Sequence, residues 1–590
     1  MIDWVDWIHP GLVLILGAAL VPFLRGRAKR VYLIALPSAA LVCCLLSAEG
    51  TFGSFSILGF DLVFGRVDRL SLIFSYVFSI MAVVGFVYAL HVRDDGQHMA
   101  ALVYAGAALG VTFAGDFLTL FLFWELLAFS SVILVWSKRT KQSSGAGFRY
   151  LLVHVAGGLC LLAGIGIHLA QTGSIAFDSM MPFSGGPAFY CILIGFILNA
   201  AVPPLSAWLS DAYPEATITG AVFMTAFTTK SAVYVLIRAF PGTEILVWLG
   251  AVMAIYGVVY AVLENDARRL LAYHIISQVG YMVCGVGLGT TLALNGASAH
   301  AFAHILYKAL LFMGAGAVMY TTGKRKLTEL GGMYKSMPIT LVLYMIGGFS
   351  ISAVPLFSGF VSKSMVVTAA AEDHRQWIFL ILTLASAGTF LHTGLKLPYY
   401  MFFGKDAGIR TGEAPRNMLV AMGMLAALCI LIGLAPGILY SLLPFETQYV
   451  PYTAFHVVST LGVLGFTALG FFLLLKLLNP TPTISLDTDW FYRKGAKAFV
   501  RLVARPVTWI DENVVGQAYE WIVRIPVLGV AQLFRKADTQ VVDGTVHALG
   551  SGTLALSGVI RILQSGQIHH YAIVLAIGAL ALIITGLVVM

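Results

Sequence analysis

Apolar runs of about twenty residues, long enough to cross a hydrocarbon core, recur along almost the whole of this 590-residue chain. They fall near 10–24, 31–48, 68–92, 99–115, 117–136, 150–171, 187–209, 217–240, 244–262, 270–290, 294–321, 338–371, 376–403, 418–443, 454–477 and 568–590. The pattern predicts an all-α polytopic membrane protein of about sixteen transmembrane helices. Only 11% of the residues are charged, where about 25% is usual in soluble domains, so a water-facing fold is excluded. The opening Met1-Ile2-Asp3-Trp4-Val5-Asp6-Trp7 is acidic and aromatic and lacks the basic n-region of a secretory signal. The N-terminus is expected to be retained.

The net charge of +8 has a membrane explanation. With the N-terminus outside, loops 25–30, 138–149, 264–269, 322–337 and 404–417 face the cytoplasm. They hold Arg25/Arg27/Lys29/Arg30, Lys138/Arg139/Lys141/Arg149, Arg268/Arg269, Lys324/Arg325/Lys326/Lys335 and Lys405/Arg410/Arg416. The opposite loops read as nearly free of Lys and Arg, in keeping with the positive-inside rule. A multi-pass protein of the cell inner membrane follows, and no nucleic-acid partner is needed.

The six cysteines lie in apolar runs without C-x-x-C or zinc spacing and read as small core residues. Gly323-Lys324-Arg325 lacks the Ser/Thr and the spacing of a P-loop. No cofactor is therefore expected.

Two spans are interrupted in similar words, Ala201-Val202-Pro203-Pro204-Leu205-Ser206 and Ala353-Val354-Pro355-Leu356-Phe357-Ser358-Gly359. Proline removes a backbone donor and clashes with the preceding turn, so each helix should break and free carbonyls inside the membrane. Such backbone is tolerated only where protein or a hydrated cavity satisfies it. Paired broken helices point to an inverted-repeat transporter with its ion path between the repeats. After Lys476 the chain turns amphipathic, and Trp490 through Arg561 mixes charges, aromatics and apolar residues as a helix lying along a membrane surface would.

Charges buried in such a chain cost at least ~2.5 to 3.5 kcal/mol each at the bilayer centre and usually serve ion movement. Glu125 stands mid-span in Phe123-Trp124-Glu125-Leu126 and is expected to face the interior. Lys230, in Thr228-Thr229-Lys230-Ser231, is its expected partner, because moving an ammonium toward or away from a carboxylate switches it between releasing and holding a proton. His300, His304 and Lys308 recur every four residues and share one helix face, a stripe of titratable groups suited to passing protons. Metal binding by the two histidines fits an i, i+4 pair, but no Glu follows His300 as in H-E-x-x-H and no third ligand is evident, so no metal is expected. Lys363 follows the second break closely, where helix ends favour ion sites. Lys396, His154 and His274 are secondary candidates, and the two histidines read equally well as structural or as part of a hydrated relay.

Several words in the chain carry a family resemblance: Phe123-Trp124-Glu125-Leu126, Pro204-Leu205-Ser206-Ala207-Trp208-Leu209-Ser210-Asp211-Ala212, Arg268-Arg269-Leu270-Leu271-Ala272-Tyr273, Ser277-Gln278-Val279-Gly280-Tyr281-Met282, His304-Ile305-Leu306-Tyr307-Lys308-Ala309-Leu310-Leu311-Phe312 and Phe357-Ser358-Gly359-Phe360-Val361-Ser362-Lys363. The sequence resembles the antiporter-like subunits of the proton-conducting membrane transporter family, shared by respiratory complex I, Mrp-type Na+/H+ antiporters (their A-type and D-type subunits) and membrane-bound hydrogenases. The resemblance implies two inverted five-helix repeats whose broken helices are the seventh and twelfth. It also implies a Glu on the fifth helix at Glu125, central lysines at Lys230 and Lys308, and a distal lysine at Lys363. One departure stands out: where the family commonly has a lysine just before the proline of the seventh helix, this chain has Asn199, which carries no proton. Either Lys230 takes over beside Glu125, or the first half-channel works differently. The core is similar to the D-type Mrp subunits. The ending around Ser565-Gly566-Gln567-Ile568-His569-His570 is similar to the distal complex I subunit with its lateral helix.

The expected organisation is N-terminal helices over 1–98, a first antiporter repeat over 99–240, a second over 241–403 and further helices over 404–480. An amphipathic lateral segment over 481–567, on the cytoplasmic side, precedes a terminal helix over 568–590. The resemblance implies a proton-translocating subunit, with Na+ as a candidate exchange ion, working among other membrane subunits. The alternative is the proton-conducting partner of a soluble enzyme in inorganic-carbon uptake, a hydrogenase or an NADH dehydrogenase-type complex. No covalent chemistry is expected of this chain by itself.

Overall fold

The computed structural model describes residues 7–57, 59–481, 487–563 and 566–589. The readings made on Met1–Asp6 and Ser565 lie outside them. The chain forms two compact units, Met1–Trp490 and Phe491–Met590.

The first unit opens with α1 (Pro10–Ala18), α2 (Gly26–Leu46), strands β1 (Gly50–Ile57) and β2 (Phe60–Val67), and α3 (Arg69–Ala89). There follow α4 (Asp95–Phe113), α5 (Phe117–Trp136), α6 (Lys141–Thr172), α7 (Pro187–Asn199), α8 (Ala207–Ala212), α9 (Ile218–Ala226) and α10 (Thr228–Ala239). The next helices are α11 (Glu244–Leu263), α12 (Ala267–Leu288), α13 (Thr291–Thr322), α14 (Pro338–Ile351), α15 (Ser358–Glu372) and α16 (Gln376–Thr389). The last continues through π-helical turns at Phe390–Lys396 and Tyr399–Phe403, before α17 (Arg416–Leu434), α18 (Pro436–Tyr440) and α19 (Ala454–Leu473).

Among the described residues twelve helical stretches are long and apolar enough to cross a membrane. The expected spans at 10–24, 99–115, 187–209 and 338–371 are not among them. The first stops at nine residues and gives way to a 3-10 turn containing Pro22. Helix α4 carries Asp95, Gln97 and His98 in its opening turns. The other two spans break at their prolines, as their sequences predict. The purely helical expectation also misses the antiparallel β1–β2 hairpin, registered from Gly50 opposite Val67 to Ile57 opposite Phe60. Trp7 stacks on its Phe52 at 5.6 Å, and Gly115 N–H donates to Val63 O.

Local features recur at a spacing of about 150 residues. Asp116 and Asp266 cap α5 and α12 by accepting from two N–H groups each, and each forms a bridge to a later loop, at Ala176 and Lys326. Helices α6 and α13 are both 32 residues long, are capped at their N-termini by Thr140 and Thr290, and are followed by left-handed Gly173 and Gly323. At the breaks after α7 and α14, Ala201 and Ala353 take φ of 60° and 58°, while Val202 and Val354 N–H donate five residues back to Ile197 and Phe349. In this correspondence Tyr150, His154 and Gly158 of α6 stand where His300, His304 and Lys308 stand on α13.

Stretch α9–α10 and helices α12 and α13 lie at the centre, 100%, 100% and 94% buried over their most apolar windows. Helices α5 and α6 turn Leu122, Phe129, Leu152 and Leu159 outward, as a lipid- or subunit-facing surface requires.

The second unit is helical without interruption from its start at Phe491 to Leu563. It runs through α20 (Asp489–Ile510), α21 (Gly516–Tyr519), α22 (Ile525–Ala537) and α23 (Asp543–Leu563), joined by π-helical turns. Helix α24 (Ile568–Val589) follows and is one of the twelve spanning candidates.

Candidate functional site

Three of the four buried lysines cap helix ends. Lys230 Nζ donates to Thr225 O at 2.6 Å and Thr229 Oγ1 at 3.1 Å, where α9 stops at Phe227 before α10 begins. Lys363 Nζ donates to Ile351 O at 2.7 Å, the last residue of broken α14. Lys396 Nζ donates to Val262 O at 2.6 Å and Glu264 O at 3.2 Å at the end of α11. Helix C-termini expose unpaired carbonyls and a partial negative charge, which these side chains meet, and Lys396 also lies in the field of the Glu264 carboxylate. Lys308 is the exception. It sits in the middle of α13, fully buried, its Nζ 6.0 Å from the Phe312 ring and without a hydrogen-bond partner among the described residues.

The predicted stripe on α13 is present and leads toward Lys363. His300 Nδ1 lies 3.3 Å from Ser362 Oγ and its Nε2 lies 3.4 Å from Tyr307 OH. Its ring is 6.1 Å from that of His304 and 5.9 Å from Tyr281, and Lys363 Nζ lies 5.3 Å from the same Tyr281 ring. Both nitrogens of His304 and of His274 are buried without hydrogen-bond partners among the described residues. His304 lies in the fields of Lys230, Lys308 and Lys363. His274 lies in those of Lys308, His392, Lys363 and Lys396, with His392 6.2 Å away in the π-helical turn beyond α16. These nitrogen bases therefore gather at the centre of the bundle, several of them without a hydrogen-bond partner among the described residues.

Glu125 does not join Lys230, and no ion pair links them among the described residues. The carboxylate is half-buried at the edge of the outward face of α5, between exposed Leu122 and Phe129, rather than deep inside as expected. Its Oε1 fills the place of the missing side chain at Gly158, where a Cβ would collide with it, and has no hydrogen-bond partner among the described residues. One turn away His154 Nδ1 bonds to Asn199 Oδ1 at 2.7 Å, and its ring packs against Tyr150 at 4.1 Å and Trp208 at 4.6 Å.

Three features escaped the sequence. Asp487, 4% exposed, accepts from Tyr273 OH at 2.7 Å, Ser210 Oγ at 3.2 Å and Tyr256 OH, clasping the segment after α19 onto α8, α11 and α12. Its approach is long-range, so no local pattern announces it. At one end of the bundle, charges of the basic loops are locked in hydrogen bonds and ion pairs. Arg268 is 1% exposed and donates to Tyr213, Ala216 and Thr217 carbonyls. Lys138 and Arg325 both reach Glu215, at 2.7 and 2.9 Å. Burial alone would raise the Glu215 carboxyl, yet these two cations hold it below the usual carboxylate range. These contacts do gather loops 138–149, 264–269 and 322–337 at one end. The opposite end is less bare than it read: Arg66, Arg238 and Arg375 stand there, paired with Asp178, Asp68 and Glu244. A cavity of about 630 Å³ opens there, lined by Arg66, Asp68, Arg69, Asp178 and Arg238.

Residues 114–389 match the model of the family described as NADH:quinone oxidoreductase/Mrp antiporter, transmembrane. The chain is 28% identical over 452 residues to an uncharacterized protein of Methanocaldococcus jannaschii, covering 71% of this chain and 93% of that one. It is 28% identical to the A-type Na(+)/H(+) antiporter subunit of Alkalihalophilus pseudofirmus (72% and 60% covered) and 28% identical to hydrogenase-4 component B of Escherichia coli (63% and 62% covered). The chain thus spans about 60% of the length of these two named relatives. Its fold is that of a chain in the membrane-bound sulfane sulfur reductase, an archaeal respiratory membrane complex, with a TM-score of 0.69, 23% identity and 98% and 99% of the two chains covered. A chain of the Mrp complex from Dietzia sp. DQ12-45-1b superposes with a TM-score of 0.61 at 21% identity, covering 74% and 91%.

Proposed function

We propose, for a multi-pass membrane chain whose residues 114–389 carry the transmembrane domain of the NADH:quinone oxidoreductase/Mrp antiporter family, that it is a proton-translocating, antiporter-like subunit of a multisubunit membrane complex. The observation that carries this reading is the buried row Lys230, Lys308, His304, His300 and Lys363 in the centre of an apolar bundle, with His274, His392 and Lys396 continuing it. Ionisable groups at that depth are costly and are kept for ion movement. Glu125 loads a proton at one side, the central lysines and histidines pass charge inward, and Lys363 or Lys396 releases it. Each proton that arrives repels its neighbour's, which couples the steps.

The recurrence of α5–α8 in α12–α15 supports two five-helix repeats of opposite orientation, because an odd number of spans inverts each copy. The basic loops around Lys138, Arg268 and Arg325 support a cytoplasmic placement of that end. The unbroken helical stretch that ends at Leu563, with its mixed charged, aromatic and apolar residues, supports a lateral amphipathic segment that binds neighbouring subunits. A second reading, the proton-conducting arm of a redox complex, is favoured by the likeness to a hydrogenase component. In both readings this chain moves the proton, and the partners decide what the proton gradient drives.

The test is to purify the tagged chain gently from its native membrane, identify its partners, and reconstitute the assembly into vesicles with a pH dye, with and without Na+. Glu125→Gln and Lys230→Ala are expected to cut proton flux at least tenfold, and full flux in both would sink the reading. Na+-dependent flux with small membrane subunits identifies an antiporter. Co-purification of a redox enzyme without a Na+ response identifies the second reading.

A further inference from the structure

The first half of the molecule has a carboxylate but no lysine beside it. Lys230 is tied to Thr225 O and Thr229 Oγ1, and its field is felt by His304 and Lys308 of the second half. What Glu125 does approach is the face of α6 that corresponds to the titratable stripe of α13. There Gly158 stands in the place of Lys308 and His154 in the place of His304. The Glu125 carboxylate fills the notch left by Gly158, and residues four apart on a helix are neighbours about 5–6 Å apart. So the carboxylate lies one turn from a buried imidazole.

We infer that His154, held in register by Asn199, is the proton carrier that serves Glu125. The inference rests on the proton-conducting reading above and assigns its first step. Asn199 Oδ1 can only accept, so at 2.7 Å it fixes the His154 proton on Nδ1 and leaves Nε2 with its lone pair. That Nε2 is buried and has no hydrogen-bond partner among the described residues. The Tyr150 and Trp208 rings pack against the imidazole and against each other. Trp208 is itself pinned, its Nε1–H donating to Leu198 O at 3.1 Å.

The step balances without any further reactant than water. The protonated Glu125 gives its proton to a water, which gives one to His154 Nε2, leaving a carboxylate and an imidazolium. The imidazolium returns the Nε2 proton to water on its inner side and is neutral again, while Nδ1–H never leaves Asn199. The second half uses the same stripe differently: Lys308 supplies there the charge that Glu125 supplies here, with the sign reversed.

The test uses the whole complex in vesicles and compares initial proton flux for His154→Gln, Asn199→Leu, Glu125→Gln and Lys308→Met. Glutamine keeps the volume and the amide donor toward Asn199 but takes no proton at working pH. His154→Gln is expected to fall at least tenfold in flux with unchanged assembly. Asn199→Leu, which leaves the imidazole but frees it, is expected to fall at least threefold, and it decides the matter if His154→Gln does not assemble. Restoring a proton carrier at the break with Asn199→Lys in the His154→Gln background is expected to recover flux, which a packing role would not allow. Normal flux in His154→Gln, or in Asn199→Leu where the first does not assemble, while Glu125→Gln and Lys308→Met are dead, overturns this assignment alone. Normal flux in all four overturns the proton-conducting reading and this step with it.

Discussion

Gly158 and Lys308 occupy matching places and make opposite predictions. A methyl at 158 meets Glu125 Oε1, the far end of a flexible side chain, so Gly158→Ala should fold and simply displace the carboxylate. Flux is expected to drop severalfold, with thermal stability of the complex unchanged within a few degrees. Lys308 is buried without a hydrogen-bond partner among the described residues, and burying a charge that is neither paired nor hydrogen-bonded is costly, so an apolar side chain of similar volume removes that cost. Lys308→Met should therefore unfold no earlier than the parent in a thermal scan, as a residue kept for function and not for stability would. The sequence made the lysines and histidines legible because charge is conspicuous in apolar runs. It hid their partners, because a carbonyl freed at a break, the notch at Gly158 and the clasp on Asp487 are all set by packing between distant segments.

At the level of elements, the two Ala-Val-Pro breaks are legible as breaks, since proline chemistry is local. What they hold is not. Lys363 depends on Ile351 O staying free, and α15 approaches α14 so closely at Gly359 that a Cβ there would collide with the Ser350 carbonyl. Gly359→Ala must push backbone from backbone, so it is expected to destabilise the bundle by about 1–3 kcal/mol or more and to release Lys363 as well. Lower yield of assembled complex together with lost flux is the expected measurement, in contrast to Gly158→Ala. The β1–β2 hairpin went unread because the search for twenty-residue apolar runs passes over short strands. Its signal was there in Phe52, Ser54, Phe55, Ser56 and Ile57 ahead of Gly59, small and apolar residues closely interleaved before a turn residue.

Across the whole molecule, composition and span spacing announced a helical membrane protein, while the ends of the bundle needed the structure. Glu215 joins Lys138 and Arg325 across loops far apart in sequence. Its carboxyl is held below the ordinary value, so its contribution is complete above the unfolded value of about 4.3 and is lost as pH falls through the lower folded value. Glu215→Gln should remove this contribution, about 1.5–3 kcal/mol for hydrogen bonds to a charged group, and flatten the loss of thermal stability between neutral and strongly acidic pH. Asp487→Ala leaves two tyrosine hydroxyls and Ser210 without their acceptor, and is expected to speed proteolysis of the chain after α19 without changing the first-half site.

The central claim is that protons cross through the buried row on α13, and the flux of Lys308→Met in the reconstituted complex tests it most directly. A complex that assembles with normal thermal stability, yet dissipates an imposed pH gradient at one tenth of the parent rate or less, is the predicted result. Parental flux from the same assembled variant would contradict it.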